Sequence, residues 1–444
     1  MQPPRWSRRD FLVRGTAAAT LSTLAGCEIG DTRDGETAAA MPSVVPPTGV
    51  SAERLATDQA YWARVRANYD LGDEVIQLEN GYWGVMSRPV LARYEELTRD
   101  VNRRASYYAR REFGQDAGAV RARAARSLGV DEGEIAFTRN ATEALQTLIG
   151  GYNRLRPGDA VLYADLDYPS AQYAMDWLRD RRGVDVVRFD LPEPATRQGV
   201  LDAYARALDA NPRVRLVLVT HLGHRTGLVM PVREISELAA ARGADVVLDA
   251  AHSFGQMEFS VKELGAPFIA FNLHKWIGAP LGVGVLYIAG DRLGDIDPHM
   301  ADRDAPADDV RSRIHTGTMN FAALLSVPTA LDFHETVGVA NKEARLKRLR
   351  ALWAEELRGH PGIEILTPDD DTMHAGMTGF RLAGRTSTQD NIALVRRLTD
   401  EFGVFTVHRT GAASGACVRV TPAPFTSEHD VVALREALVR VAEG

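Results

Sequence analysis

From Glu134 onward, short β-branched runs alternate with helical patterns, and no other feature of the chain constrains its fold so tightly. Glu134–Thr138, Ala160–Ala164, Asp185–Phe189, Arg213–Thr220, Ala244–Asp249, Pro267–Phe271 and Val283–Ile288 each read as a buried strand. Apolar runs without polar alternation belong to strands covered on both faces. Strands separated by helices predict an α/β large domain whose mostly parallel sheet carries helices on either side. Ala330 to Gly359 predicts a long, charged helix leading into a smaller α+β C-terminal domain. With 444 residues, 45% of them hydrophobic, the chain has material for such cores. It carries no internal repeat.

Ligands of such sheets sit beyond the carboxyl ends of the strands. Val246-Val247-Leu248-Asp249 ends a buried run on a carboxylate, followed by Ala250-Ala251-His252. Asn272-Leu273-His274-Lys275-Trp276 puts a lysine at another strand end, ahead of the Gly278–Gly282 loop, where glycines let backbone approach a ligand. Asn140-Ala141-Thr142-Glu143-Ala144 enters a helix after a strand, the arrangement that binds anions through backbone N–H groups. Gly282-Val283-Gly284 precedes a strand rather than opening a helix, so it is no dinucleotide fingerprint.

Taken with Glu79-Asn80-Gly81-Tyr82, these segments resemble the class V aminotransferases of PLP fold type I, the family of cysteine desulfurases and isopenicillin N epimerase. The resemblance runs from about Val75 to the C-terminus and implies pyridoxal 5′-phosphate (PLP) as cofactor. It implies Lys275 as Schiff-base lysine and base at the substrate Cα, with Asp249 on the pyridine nitrogen. It further implies Ala141, Thr142, Asn272 and His274 at the phosphate, Tyr168 stacked on the ring, and His252 at the 3′-oxygen. His224 stands where the family often has asparagine and is a further candidate for that oxygen. Gly317 and Thr318 resemble the segment a neighbouring subunit lends to the phosphate, which implies a homodimer. Asn80 and Gly81 fall on the substrate side, and Arg419 aligns with the arginine that takes the substrate α-carboxylate.

His252 leans towards the epimerase-like branch, which also holds transaminases and lyases. The expected activity is an aminotransferase acting on an amino acid or peptide-borne amino acid, with epimerisation or C–S/β-lysis as alternatives. A desulfurase needs a nucleophilic cysteine on a mobile loop. Of the two cysteines, Cys27 lies in the N-terminal signal and Cys417 in an apparent strand. A non-catalytic PLP-fold binding lipoprotein would lose Lys275 or Asp249 first, and both are present. His221 and His224 have no carboxylate or thiolate companion for a metal, so no metal is expected. Arg110 and Arg111 read either as a solvated helix face or as an anchor for a distal carboxylate. A net charge of −7 gives no global attraction to nucleic acid.

The N-terminus reads as an address. Ser7-Arg8-Arg9-Asp10-Phe11-Leu12 resembles a twin-arginine export signal, and Leu24-Ala25-Gly26-Cys27 a bacterial lipobox, with Cys27 the lipidated residue. That predicts a periplasmic or cell-envelope location, with the membrane met only through the lipid anchor. No later stretch approaches the ~20 apolar residues of a bilayer span. The expected segments are residues 1–27 as signal, 28–50 as tether, 51–95 packing on the active site, 96–330 as the PLP-binding domain and 331–444 as the small domain with its linking helix.

Overall fold

Seven strands assemble into one sheet, and each begins and ends within a residue of its expected place. They are β2 (Ile135–Thr138), β3 (Ala160–Ala164), β4 (Asp185–Phe189), β5 (Val214–Thr220), β6 (Asp245–Asp249), β7 (Phe268–Asn272) and β8 (Gly284–Ile288). The computed structural model describes residues 43–443 apart from 302 and 316. The chain divides into two units, residues 1–41 and 42–444, and the described residues fall in the second. Arg8, Arg9, Cys27 and the tether up to residue 42 therefore lie outside the described residues.

The sheet order is β2-β8-β7-β6-β5-β3-β4, with β8 antiparallel to its neighbours and the remaining pairings parallel. Successive side chains point to opposite faces. Leu162, Val217 and Val219 join one core with the helices Phe113–Leu128, Arg197–Ala210 and Val232–Ala240. Val161, Tyr163, Leu216 and Leu218 join another with Ala141–Gly151 and Pro169–Arg182. Both faces are covered, which is why the strands read as unbroken apolar runs.

The long helix expected over Ala330–Gly359 is broken. Val327–Val337 and Val339–Arg350 are separate helices joined at Gly338, whose φ of 88° ends the first, and a single π turn, Ala351–Glu355, closes the second. Only glycine adopts that conformation without a steric penalty, so charge and helical periodicity hid a break written in one residue.

The C-terminal part forms an antiparallel sheet, β12-β13-β10-β9, from β9 (Ile363–Ile365), β10 (Thr378–Leu382), β12 (Val407–Arg409) and β13 (Cys417–Val420). Its core joins Trp353, Phe380, Leu398, Val418 and Leu434. The N-terminal segment is stitched to it: β1 (Ile76–Gln77) pairs in parallel with β11 (Val404–Phe405), and Glu79 bridges to Thr421. That stitching carries Glu79, Asn80 and Gly81 to Arg419. Arg110 and Arg111 are exposed at the end of the helix Arg88–Arg111. No described helix is long and apolar enough to cross a membrane.

Candidate active site

The parallel strands β5, β6 and β7 end side by side in Thr220, Asp249 and Asn272. The Asp249 carboxylate is buried and accepts the Ala251 N–H at 2.9 Å. Burial raises its pKa, against the pull of that N–H and of the Lys275 charge. Beyond β7, the Lys275 Nζ lies 3.1 Å from His252 Nε2. Burial pushes this amine down to about 8, with Asp249 opposing and Arg419 and Arg409 assisting. His252 is itself held well below the ordinary imidazole range by burial and then by Lys275.

Trp276, not singled out in the sequence, assigns the tautomer of that ring. Its indole N–H donates to His252 Nδ1 at 3.4 Å. A neutral ring accepting at Nδ1 carries its proton on Nε2, so Nε2–H donates to the lysine lone pair. Geometry and burial thus both favour the uncharged, nucleophilic amine. The turn bearing these residues is fastened from behind. Gly84 N–H donates to the His274 carbonyl at 2.8 Å, and a Cβ at Gly84 would stand 1.9 Å from the Lys275 carbonyl oxygen. Lys342, buried on the helix Val339–Arg350, donates to the Trp276 carbonyl at 2.6 Å and meets His334 Nδ1 at 2.9 Å. Burial takes its pKa to about 7.

At the phosphate end, Asn140 caps the helix Ala141–Gly151 by accepting the Glu143 N–H. The Ala141 N–H donates to Asn272 Oδ1 at 2.8 Å, tying helix start to strand end. This amide is engaged within the protein, contrary to its expected part in binding an anion. His274 Nδ1 meets the Val283 carbonyl at 3.1 Å and so carries the ring proton there. Nε2 must gain a proton before it can donate to a phosphate, and burial keeps the ring down at about 4 until such a charge arrives. On the ring side, Tyr168 packs edge-on to His224, centroids 5.1 Å apart. His224 is buried, with no hydrogen-bond partner on Nδ1 among the described residues.

Below this layer lies Asp167, fully buried, accepting the Thr220 hydroxyl and the Ala164 N–H at 2.8 Å each. Burial pushes it up to about 7. Arg225 donates to the carbonyls of Asp165, Asp167 and Thr410, pinning the loop after β12 to the large sheet. Ala413 N–H to Asp165 (2.8 Å) and Ser414 Oγ–H to Glu193 (2.7 Å) pin it twice more.

The substrate end departs from its expected arrangement. Arg419 is buried, but its Nη2 donates to both carboxylate oxygens of Glu79, at 2.7 and 2.8 Å, and Nη1 donates to the His224 carbonyl at 2.9 Å. Gly81 packs so tightly there that a Cβ would lie 2.5 Å from Nη2. Asn80 donates through Nδ2 to the Thr421 carbonyl, and its Oδ1 has no partner among the described residues. Arg409, also missed in the sequence, approaches Glu79 at 3.7 Å. Gly317 (φ 61°) and Thr318 are exposed before the helix Phe321–Leu325. Among the described residues no cluster of His, Cys, Asp and Glu is placed to hold a metal.

The family model for class-V aminotransferases matches residues 86–422. The chain belongs to that family. Isopenicillin N epimerase from Amycolatopsis lactamdurans is 29% identical over 86% of the chain and 99% of its own length, and that from Streptomyces clavuligerus 27% identical over 85% and 98%. A probable cysteine desulfurase from Methanothermobacter thermautotrophicus is 34% identical over 50% of the chain and 56% of its own length. Among solved structures, the apo cysteine desulfurase from Thermococcus onnurineus NA1 superposes with a TM-score of 0.72 at 23% identity, over 86% of this chain and 98% of that one. The lysine-to-alanine mutant of C-DES, with glycine covalently linked to its PLP, gives 0.71 at 22%, over 84% and 97%. These establish the fold, PLP fold type I.

The residues fit the family's cofactor. An amine whose pKa burial brings down to about 8, a buried carboxylate at the neighbouring strand end, a capped helix start and a histidine nitrogen unpartnered among the described residues are what an aldehyde, a pyridine nitrogen, a phosphate and a phenolic oxygen require.

Proposed function

We propose that this class V enzyme uses PLP to act at the Cα of an amino acid or peptide-borne amino acid, as an aminotransferase. The observation that carries the reading is the half-buried Lys275 amine, which feels the Asp249 charge and accepts from a neutral His252. When bound, PLP supplies an electron sink for charge developing at Cα. Asp249 would hold the proton on the pyridine nitrogen, and Thr142 with His274 would anchor the phosphate. Lys275, freed from the cofactor, takes the Cα proton and returns it elsewhere. Transamination needs this one base. Epimerisation needs a proton donor on the opposite face as well, and burial lowers the pKa of both His224 and His252. Persulfide chemistry is disfavoured because Cys417 is buried, packs against the Arg225 carbonyl at 3.6 Å, and has its thiol pushed up to about 12.

The same proposal includes a homodimer, completed by Gly317 and Thr318 from the second copy. It also includes export of the folded, PLP-loaded enzyme through Arg8 and Arg9 to an envelope location, held by lipid on Cys27. Product analysis with a panel of amino acids and 2-oxo acids tests the activity: exchange of amino groups supports it, and net inversion or sulfur release without exchange overturns it. Changing Arg8 and Arg9 to lysine should strand active enzyme in the cytosol, and normal export of that variant would overturn the export reading.

A further inference from the structure

Arg409 and Arg419 lie on neighbouring strands of the C-terminal sheet. The register pairs Val407 with Arg419 and Arg409 with Cys417, so both arginines project from one face. Arg419 also donates to the His224 carbonyl at 2.9 Å, and the His224 ring packs on Tyr168, which ties the arginine pair to the ring side of the site. Between them stands Glu79, bonded to Arg419 and 3.7 Å from Arg409. Two guanidinium groups against one carboxylate leave a single positive charge. Each arginine also keeps a buried Nε–H with no partner among the described residues. Buried donors of that kind call for an acceptor.

We propose that Glu79 is a specificity-determining residue: a resident carboxylate that holds Arg419 and leaves the substrate end room for one further carboxylate, facing Arg409. This rests on the reading that the site takes an amino substrate, and narrows it to ligands presenting a single acidic group there. A second carboxylate would be buried without a counter-charge, which is how an unpaired group rejects a competitor. Arg419 becomes a positioning residue, its charge already met, and Arg409 the arginine that reads the substrate.

The test uses the full-length protein loaded with PLP, titrated with propionate and with succinate, neither of which can turn over. Binding is followed by cofactor absorbance and, in parallel, by tryptophan emission. The wild type should bind succinate no more than about threefold tighter than propionate. Glu79→Gln, which keeps the shape and removes the charge, should shift that ratio towards succinate by tenfold or more, about 1.4 kcal/mol. Arg409→Gln should weaken propionate tenfold or more. If Glu79→Gln does not fold, Glu79→Asp, whose carboxylate is drawn back by one methylene, should move the ratio in the same direction by less. An unchanged ratio in a folded variant, or a wild type already preferring succinate tenfold, overturns the inference. Failure to take up PLP would instead overturn the functional reading, while tryptophan emission would still report the carboxylate ratio.

Discussion

The two halves of the site are built on different principles. The catalytic half stands on adjacent parallel strands, where Thr220 pairs with Asp249, Asn272 ends the next strand two residues beyond the partner of Asp249, and Lys275 follows within one turn. Its partners are near in sequence: His252 with Lys275, Trp276 with His252, Asp249 with Ala251. The substrate half joins residues 340 apart, Glu79 and Arg419, across the seam where the N-terminal segment enters the C-terminal sheet. Chemistry common to a family is carried by a local framework, and selectivity by long-range charge pairs that can change one partner at a time.

The largest effect should come from the catalytic half. Lys275→Ala removes both the covalent attachment and the Cα base, and turnover should fall by at least about 10³-fold, within the range that general base catalysis supplies. The fold should persist, because the amine is buried at an electrostatic cost. Borohydride reduction followed by mass measurement checks the attachment: cofactor mass retained on the variant would mean that another lysine carries it.

Asp249→Ala should come next, at roughly 3 kcal/mol of lost transition-state stabilisation, about 10²-fold. Asp249→Glu should lose less. Near-normal turnover in a PLP-loaded Asp249→Ala would place the ring in a different orientation.

The difference between the halves also governs what the sequence discloses. Asp249 ends an apolar run and Lys275 follows another by a few residues, so strand periodicity puts them at strand ends while the family resemblance gives their roles, and the seven strands are legible because a sheet covered on both faces leaves no polar alternation. Arg419 is visible as an arginine in a strand, but nothing local says that Glu79 will hold it. Lys342 is hidden among the charges of a helix whose Lys347 and Arg348 remain near solvent. Gly338 is one residue in a helical pattern, and its left-handed φ appears only in three dimensions.

Trp276→Phe sharpens the comparison at moderate cost. Without the indole donor, His252 can carry its proton on Nδ1 and accept from the lysine at Nε2, which favours the ammonium. The Lys275 pKa should rise above about 8, by on the order of one unit if a hydrogen bond of ~1 kcal/mol changes sides. PLP capture needs the neutral amine, so its pH profile should move to higher pH. Stopped-flow absorbance of apo protein mixed with PLP at several pH values measures this, and an unmoved profile sinks the tautomer assignment.

Lys342 connects the site to stability. Its folded pKa of about 7 lies below the 10.5 of a free lysine, so between these values the unfolded chain binds more protons than the folded one. Stability from this group therefore rises with pH across that window and is reduced below it. Lys342→Met lacks the titration, so the stability of wild type minus that of the variant should grow from pH 6 to pH 9. Urea midpoints at the two pH values give the difference directly, and a constant difference would mean that the amine is solvated in the native state.

The smallest effect is expected at Cys417, although it sits in the same sheet as Arg419. A desulfurase cysteine must reach the cofactor from a loop free to move. Here the preceding loop is held by Arg225, Asp165 and Glu193, and the thiol is buried against a carbonyl with its ionisation suppressed. Cys417→Ala removes a small buried group, costing about 1 kcal/mol of stability, and should leave turnover within twofold. Persulfide assays and turnover on the same preparations decide between the halves. If the variant loses both, the pinned loop must open during the reaction, and the substrate half would then be a moving part rather than a fixed recognition surface.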